Sequence, residues 1–317
     1  MPPETRPYII IAGPTASGKS ALAIEIARQF SGTIINADSM QVYRELSVIT
    51  ARPSPEDEAR VPHRLYGVLG AAEPCSAGRW RAMAWAECEA AWAAGRLPVV
   101  TGGTGLYIKA LTEGLSPIPD IPNDIRQAAR SLFAKLGNAA FHARLAERDP
   151  VTAARLHLGN SQRLVRAWEV LEATGRPLAE WQAEPAIDVP THARFAAIAL
   201  LPARPILYAA CDTRFRRMLE MGALDEVRAL DALGLDPALP ALKALGVPEL
   251  IRHLRGEITL ERAETAATRA IRNFAKRQVT WFRHQIANAM VVEEQFSESL
   301  PPKIFPFIRD FLLTEER

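Results

Sequence analysis

A glycine-rich motif directly after a short apolar run is the feature that most constrains the fold of this chain. Tyr8–Ala12 is a β-branched apolar run that predicts a buried strand, and Ala21–Phe30 carries apolar residues at helical spacing. The residues between them fit the pattern G-x-x-x-x-G-K-[ST] and are Gly13, Pro14, Thr15, Ala16, Ser17, Gly18, Lys19 and Ser20. In this setting the loop amides and the helix N-terminus can bind a diphosphate, with Lys19 neutralising it and the Ser20 hydroxyl binding Mg²⁺. The motif therefore predicts a phosphate-binding loop.

Strands and helices alternate through the first third of the chain. Thr33–Ala37 and Leu97–Thr101 predict two more strands, and Trp80–Ala94 predicts an alanine-rich helix between them. This alternation is typical of an α/β fold with a parallel sheet flanked by helices, and with the loop it predicts a P-loop NTPase-like core. Because ligands of such folds collect at the carboxyl ends of the strands, we expect the loops after all three strands to meet.

A proline-rich stretch at Ser116–Pro122 interrupts this alternation. From Asp124 to about Trp181 the sequence predicts helices alone, which indicates a helical subdomain inserted into the core. Phe195–Leu201 predicts one further buried strand, after which the chain is mostly helical. We therefore divide the chain into a P-loop core at 1–115 and 195–290, a helical insertion at 116–194, and a weakly specified C-terminal tail at 291–317.

The composition of the chain excludes several classes of protein. Of its 317 residues, 48% are hydrophobic and 23% are charged, as in ordinary globular proteins. It has neither an apolar N-terminal stretch of signal-peptide length nor an apolar segment long enough to span a membrane, which predicts a cytoplasmic protein. Its three widely spaced cysteines fit neither a disulfide framework nor a zinc cluster. The net charge of +2 is too small to indicate a nucleic-acid partner unless the basic residues are clustered.

Asp38 is the acidic residue that ends a predicted strand near the phosphate loop. Nucleotide kinases and ATPases with such a loop usually also hold Mg²⁺ with an aspartate at the end of another strand. Neither Val99–Gly102 nor Ala196–Leu201 supplies one. An isolated aspartate at this position could serve as a helix N-cap, but its placement at the phosphate edge favours a catalytic base.

The glycine-rich turn at Gly102–Gly105 follows the third predicted strand. Such turns are common, and by themselves they are weak evidence of a site. If this strand lies beside the first, Thr104 stands close to both the diphosphate and Asp38, within hydrogen-bonding reach of a substrate. Thr104 is therefore a second candidate for the catalytic site.

A cationic stripe runs along the predicted helix at 262–283. Its basic residues recur at spacings of three, four and seven, at Arg269, Arg272, Lys276 and Arg283. A run of charges is usually a solvated helix face, but here only Glu264 balances the charges locally. A smaller polar set on the helical insertion consists of Gln162, Arg163 and Arg166. Two patches on different subdomains predict a clamp on a folded nucleic acid.

Together these segments resemble the tRNA dimethylallyltransferase family, also called tRNA isopentenyltransferases. The matching blocks follow the family's order between residues 13 and 283 and are Gly13–Ser20, Asn36–Tyr43, Gly102–Tyr107, Gln162–Glu169, Arg214 with Met218–Val227, and Ala275–Phe282. The resemblance implies that the loop binds the diphosphate of dimethylallyl diphosphate together with Mg²⁺, and that no phosphoryl group moves. It also implies an acceptor, the exocyclic N6 amine of adenine at tRNA position 37 beside the anticodon, which becomes N6-isopentenyladenosine.

The resemblance further implies roles for individual residues. By motif, the general base falls on Asp38, its supporting threonine on Thr104, and a diphosphate-contacting arginine on Arg214. The residues expected to contact tRNA are Asp38, Ser39, Met40, Gln41, Arg126, Gln162, Arg163, Leu164, Val165, Arg166, Arg272, Lys276, Arg277 and Gln278. The expected partners are dimethylallyl diphosphate and the anticodon stem-loop of tRNA, and we expect a monomer without membrane association.

Three segments depart from the pattern of the family. Val48–Pro53 carries Ile49 and Arg52 where glycine and lysine are usual, and arginine keeps the charge but changes its geometry. Leu245–Glu249 lacks an aromatic and a basic residue that help hold the RNA in the family pattern. Ala270–Phe274 replaces the more usual Thr-Arg-Gln-Tyr sequence. These departures bear on affinity and loop detail more than on the reaction.

Three alternative functions remain open at this point. An adenylate isopentenyltransferase acting on free AMP or ATP would share the loop, Asp38 and Thr104, but would need neither the insertion nor the basic helix. A small-molecule P-loop kinase predicts ATP hydrolysis and a second magnesium-binding carboxylate. A non-catalytic RNA-binding module would account for the basic stripe but would leave the phosphate loop without a role.

Overall fold

The computed structural model describes residues 5–187, 189–286 and 288–314. Within these ranges the strands are β1 (Arg6–Ala12), β2 (Gly32–Asn36), β3 (His63–Arg64), β4 (Leu97–Gly102), β5 (Ala193–Leu200) and β6 (Met290–Val292). The helices are α1 (Lys19–Gln29), α2 (Pro55–Arg60), α3 (Ala77–Ala93), α4 (Gly105–Glu113), α5 (Asn123–Arg148), α6 (Pro150–Arg155), α7 (Ser161–Thr174), α8 (Leu178–Ala183), α9 (Arg204–Glu220), α10 (Ala223–Asp231), α11 (Val247–Leu254), α12 (Leu260–Gln285) and α13 (Leu300–Leu313). None of the helices in these ranges combines the length and the hydropathy needed to cross a bilayer.

The strands form one parallel sheet in the order β3-β2-β4-β1-β5-β6. β1 lies inside the sheet and pairs with β4 from Ile9 opposite Val99 to Ala12 opposite Gly102. Every residue from Tyr8 to Ala12 is fully buried, because helices cover both faces of the sheet, as is usual for parallel strands. The α/β class and the parallel sheet are therefore confirmed, and the first and third predicted strands are neighbours in this sheet.

The chain divides into two compact units. The first contains residues 1–112 and 190–317 and includes the sheet, and the second contains residues 113–189. In the first unit, one apolar core lies under α3, α4 and α9 to α12, and another lies under α1 and α13. The boundaries predicted at 115 and 194 lie within a few residues of these limits.

The second unit is built from α5, α6, α7 and α8 and has an apolar core of its own. Phe141 and Leu145 of α5 pack there with Leu164 and Trp168 of α7. α5 is interrupted at Gly137, whose φ of 70° favours glycine. Helices alone occupy the region in which the sequence predicts them.

Residues 290–313 add an edge strand and a helix to the first unit. β6 pairs with β5 from Ile198 opposite Met290, and Ile304 and Ile308 of α13 are fully buried in the core beside α1. The sequence-based division differs here, because it sets 291–317 apart as a tail whose last residues, 315–317, lie outside the described ranges. A three-residue strand and a helix with an internal proline at Pro306 give little periodic signal, and their burial depends on a sheet formed elsewhere.

Candidate active site

The loop between β1 and α1 is the predicted phosphate-binding motif. Its backbone passes through left-handed conformations at Ala16 (φ 63°) and Gly18 (φ 89°) before α1 begins at Lys19. A Cβ atom at Gly18 would lie 2.3 Å from the Phe296 Cβ, so both the conformation and the space require glycine. Ser20 is exposed in the first turn of α1. The strand, loop and helix that the motif predicts are all present.

Lys19 folds back across this loop and is buried. Its Nζ donates a hydrogen bond to the Pro14 carbonyl oxygen at 3.3 Å. Burial lowers the pKa of Lys19 to about 8, while the Asp38 carboxylate acts to raise this pKa and the Arg214 guanidinium acts to lower it. The amine is therefore held where water solvates its charge poorly, and a bound anion would favour its protonated form.

Asp38 lies in the loop after β2, which Asn36 holds in place. The Asn36 amide donates to the Asp38 carbonyl oxygen at 3.0 Å and accepts from the Asp38 N–H at 2.8 Å. The carboxylate Oδ1 of Asp38 accepts from the Met40 N–H at 2.9 Å within a turn. The helix-cap role is wrong, because the next helix begins only at Pro55. No donor among the described residues bonds the other oxygen, Oδ2, which leaves it available for a substrate proton.

Thr104 joins the turn after β4 to the Asp38 loop. Its N–H donates to the Ala37 carbonyl oxygen at 3.1 Å. Its Oγ1 accepts from the Ser39 N–H at 2.9 Å and donates to the Ser39 Oγ at 3.2 Å. A Cβ at Gly102 would lie 2.1 Å from the Ala37 carbonyl carbon, so this close approach requires glycine. The two loops meet as expected, and Thr104 contacts the residue that follows Asp38.

Arg214 of α9 connects the phosphate loop with a second loop. Its Nη1 donates to the Thr15 Oγ1 at 3.3 Å, and its Nη2 donates to the Thr50 carbonyl oxygen at 3.1 Å. Glu226 fixes this second loop by accepting from three consecutive backbone amides, those of Ser47, Val48 and Ile49. Burial lowers the pKa of Arg214, and the Asp38 carboxylate acts to raise it. The charged side chains assigned to donor and acceptor therefore converge at the carboxyl end of the sheet.

The predicted tRNA contacts beside Asp38 are partly engaged within the protein. The Gln41 Nε2 donates to the carbonyl oxygens of Thr50 and Ala51, both at 2.9 Å. Ser39 and Met40 use their backbone amides in the bonds to Thr104 and Asp38 described above. The Ser39, Met40 and Gln41 side chains are all partly exposed, so these residues line the loop beside the carboxylate and also stabilise it.

Gln278 and Trp281 of α12 face the phosphate loop and the turn after β4. Gln278 is buried, its Oε1 accepts from the Thr15 N–H at 2.9 Å, and its Nε2 donates to the Gly103 carbonyl oxygen at 2.8 Å. The Trp281 ring would lie 2.5 Å from a Cβ at Gly105. The sequence groups Gln278 with the tRNA contacts, but the structure places its amide between two loops of the protein.

The opposite side of α12, called the outer face below, carries the exposed cations Arg269, Lys276, Arg277 and Arg283. None of the four forms a salt bridge within the described parts of the chain. Open concavities of about 570 and 430 Å³ follow this side of the helix, and Asn273 lines both. Exposed, unpaired cations along an open surface suit phosphate groups of a nucleic acid.

Arg272 differs from the cations of the outer face. It forms a two-pronged ion pair with Asp212 of α9, in which the Nε to Oδ1 distance is 2.7 Å and the Nη2 contacts Oδ2. This pairing raises the pKa of Arg272. Glu264 is the counter-charge that the sequence suggests, whereas the actual partner lies 60 residues earlier in the chain. The Asp212 carboxylate thereby offsets the charge that Arg272 could offer to RNA.

On the insertion, Gln162 and Arg163 are exposed in the first turn of α7. Arg126 is partly buried at the start of α5, and its Nε donates to the Ile121 carbonyl oxygen at 3.0 Å. Gln162 and Arg163 are thus free to meet a partner, whereas the guanidinium of Arg126 already stabilises its own helix start.

Leu164 and Val165, the next two residues of α7, pack against the interior of the insertion. Leu164 is fully buried and Val165 packs against the same core, because positions three and four apart on this helix face the insertion's interior. Arg166 forms an ion pair with Glu169, in which the Nη1 to Oε2 distance is 3.5 Å. The Leu164 side chain therefore packs in the interior of the insertion, and the tRNA contact expected of this residue stays a prediction.

Comparison with known proteins identifies the family. A family model described as IPP transferase matches residues 41–285, and one described as isopentenyl transferase matches residues 7–69. The tRNA dimethylallyltransferase of Paramagnetospirillum magneticum is 59% identical over 314 residues, which cover 99% of each chain. This chain belongs to the IPP transferase family.

Other members of the family agree in sequence and in fold. The tRNA dimethylallyltransferase of Rhodospirillum centenum is 60% identical over 287 residues, which cover 90% of this chain and 91% of that protein. The crystal structure of the tRNA isopentenylpyrophosphate transferase of Bacillus halodurans is 31% identical with a TM-score of 0.71, over 98% of this chain and 97% of that one. A eukaryotic dimethylallyltransferase acting on tRNA shares the fold, with a TM-score of 0.80 at 23% identity, over 98% of this chain and 81% of that one.

Two departures from the family pattern have local structural explanations. Arg52 donates to the backbone carbonyl oxygens of Tyr43 and Arg44 at 3.5 and 3.4 Å, and its Nη1 would lie 2.1 Å from a Cβ at Gly67. Gly246, with φ of 90°, is the N-cap residue directly before α11, whose second residue is proline. Arg52 therefore stabilises the loop after Asp38. The departing segment Leu245–Glu249 contains the start of α11.

A segment outside both matched ranges also contacts the phosphate loop. The Gln295 Nε2 donates to the Ala16 carbonyl oxygen at 3.2 Å, and the Phe296 N–H donates to the Ser17 carbonyl oxygen at 3.3 Å. Sequence reasoning missed this contact, because 279 residues separate Gln295 from Ala16 and no local pattern marks either as a partner. The C-terminal segment thus supports the loop from behind Gly18.

Proposed function

We propose that this chain transfers the dimethylallyl group of dimethylallyl diphosphate to N6 of adenine 37 in tRNA, giving N6-isopentenyladenosine and diphosphate. The relationship to a tRNA dimethylallyltransferase over 99% of the chain carries the proposal. The convergence of a phosphate loop, the buried Lys19, the partly buried Arg214 and one carboxylate at a single edge of the sheet supports it.

The donor side consists of the loop Gly13–Ser20 with Lys19 and Arg214. As the allylic carbon–oxygen bond breaks, its electron pair stays with the departing diphosphate, and positive charge spreads over the allyl group. Loop amides, Lys19 and Arg214 stabilise the leaving group, and because they are already in place this costs little rearrangement. Arg214 reaches the donor from its position against Thr15.

The residues present also suit Mg²⁺. The Ser20 hydroxyl is exposed in the first turn of α1, beside the loop amides, and can supply one oxygen ligand. Mg²⁺ usually takes its other ligands from phosphate oxygens and water. When bound, the ion would neutralise charge on the diphosphate.

On the acceptor side Asp38 is the proposed base. The lone pair of the adenine N6 amine is delocalised into the ring, so the amine is a poor nucleophile until its proton is accepted. A carbon–nitrogen bond forms to the allylic carbon while the N6 proton passes to Asp38 Oδ2. Thr104 acts through Ser39 by holding the loop that carries this carboxylate.

The RNA is proposed to bind to the outer face of α12 and to Gln162 and Arg163 of the insertion 113–189. Exposed arginine and lysine side chains bind phosphates by displacing counterions. The adenine would be flipped out of its stack to reach Asp38. We also propose that the protein acts as a monomer in the cytoplasm.

The test is incubation of the purified protein with dimethylallyl diphosphate, Mg²⁺ and an anticodon stem-loop RNA, followed by mass spectrometry of the nucleosides. Prenylated adenosine is expected from this RNA and not from a matched RNA with guanosine at position 37. Parallel reactions with AMP and with ATP separate the alternatives. Prenylated free nucleotide without RNA product would favour the adenylate isopentenyltransferase, and ATP hydrolysis alone would favour a kinase.

A further inference from the structure

Gln278 is the one residue of the predicted tRNA-contacting block on α12 whose side chain is buried in the described structure. Its neighbours Lys276 and Arg277 are exposed, while Gln278 is 6% exposed. Both ends of its amide are hydrogen-bonded to backbone, at Thr15 and at Gly103. The amide orientation is fixed, because the Thr15 N–H needs an acceptor and the Gly103 carbonyl needs a donor.

The two backbone groups belong to the two loops on which the proposed reaction depends. Thr15 lies in the donor loop and accepts a hydrogen bond from Arg214 through its hydroxyl. Gly103 precedes Thr104, which holds the Asp38 loop through Ser39. One side chain therefore links the donor loop to the turn that positions the base.

The Gln278 amide packs closely against the turn at Gly103. A Cβ at Gly103 would lie 2.3 Å from the Gln278 Nε2, so the amide fills the space between the loops. Removing the amide would leave the partly buried Thr15 N–H and the buried Gly103 carbonyl without these partners, which costs free energy and favours a shift of both loops. A shift of even about an ångström between reacting groups lowers rates strongly.

We propose that Gln278 is a positioning residue that holds the donor loop and the base-bearing loop in register, and that it is not an RNA contact. The proposal rests on the function proposed above. It assigns to α12 two separate tasks, phosphate binding on its outer face and alignment of the reacting groups on its inner side.

The test compares Gln278→Met, which keeps the length of the side chain but removes both hydrogen bonds, with Gln285→Met. Gln285 is exposed at the end of the same helix and is the matched control. For Gln278→Met we expect the single-turnover rate at saturating donor and RNA to fall tenfold or more. Its affinity for the stem-loop should stay within about twofold of the wild type, and Gln285→Met should resemble the wild type in both.

A wild-type rate in a folded Gln278→Met protein would overturn the proposal. So would weaker RNA binding with an unchanged rate at saturation, since that result would identify Gln278 as an RNA contact. Thermal unfolding of each variant establishes whether it is folded.

Hydrogen exchange of the Thr15 amide in the wild-type protein keeps the proposal testable if Gln278→Met does not fold. Slow exchange is expected because Gln278 accepts this hydrogen bond, and exchange as fast as in an open loop would overturn the proposal. This measurement is independent of activity. Absence of prenyl transfer by the wild-type protein would therefore count against the proposed function, whereas fast Thr15 exchange would count against the role of Gln278.

Discussion

The donor loops and the outer face of α12 hold positive charge in different ways. Lys19 is buried and Arg214 is partly buried beside the phosphate loop, and burial lowers the pKa of both. Arg269, Lys276 and Arg283 are exposed. Buried charges act at short range with little screening, whereas exposed charges act over about a Debye length, roughly 10 Å at 0.1 M salt. The donor site should therefore respond to single substitutions and pH, and the RNA site to salt.

The largest effect is expected for Asp38→Asn. Asparagine can keep the bond to the Met40 N–H and suits such a turn as well as aspartate does, but it cannot accept the N6 proton. We expect the single-turnover rate to fall by roughly a hundredfold to ten-thousandfold, the range typical of a lost general base. Donor and stem-loop affinities serve as the control and should be unchanged. A folded variant with a wild-type rate would remove Asp38 from the mechanism.

Lys19→Ala should lower the rate and the donor affinity but leave the stem-loop affinity unchanged. The substitution removes a buried charge that faces the diphosphate, and the loss of such a group typically lowers rates by about a hundredfold to a thousandfold. Donor affinity measured by titration should fall, while stem-loop affinity measured without donor should be retained. Equal losses of donor and RNA affinity would contradict the separation of the two sites.

Salt concentration should affect mainly the affinity for the RNA stem-loop. If the four exposed cations of the outer face each neutralise one phosphate, stem-loop affinity should fall about tenfold for each doubling of salt concentration. Lys276→Ala should make this dependence shallower than Arg272→Ala does, because Asp212 already pairs with Arg272. Arg309→Ala, an exposed site on α13, is the control. An affinity that does not depend on salt would instead support a free-nucleotide acceptor.

The smallest expected effect is that of pH on donor binding. The pKa of Lys19 in the free protein is about 8, below its ordinary value of 10.5, so the amine is charged below pH 8 and increasingly neutral above it. Binding an anion above pH 8 requires the proton to return, which weakens affinity by at most about tenfold per pH unit. Titrations between pH 7 and 9.5 should show this decline in the wild type and none in Lys19→Ala. If donor affinity declined with equal slope in the wild type and in Lys19→Ala, the pH dependence would come from a group other than Lys19.

Local patterns predicted the parts of the molecule that a few neighbouring residues determine. The loop Gly13–Ser20, the buried strand before it and the helices of the insertion each carry their signal within one short segment. The meeting of the loops that carry Asp38 and Thr104 followed from the rule that the carboxyl ends of parallel strands lie at one edge of the sheet. The pairing of β1 with β4 was a condition of that expectation, and no local pattern determined it.

Contacts between distant segments could not be predicted in the same way. The pairing of Arg272 with Asp212 and the burial of Gln278 depend on how α12 is rotated against α9 and the loops, which its own sequence does not determine. Leu164 is a similar case. The family block that contains it also contains exposed residues, but its position on the helix places its side chain in the core. Composition and spacing locate such residues on a helix but do not say what lies opposite them.

The contacts of Gln295 and Phe296 with the phosphate loop also bear on how the protein is made. Gln295 is synthesised 279 residues after Ala16, and at roughly 5–20 residues per second this interval lasts on the order of 15 to 60 seconds. During that time the glycine-rich motif has been made, but the segment that supports it has not. A nascent chain halted before this point would carry the complete motif but lack a finished donor pocket. The support of the phosphate loop is therefore completed only when the last part of the core has been made.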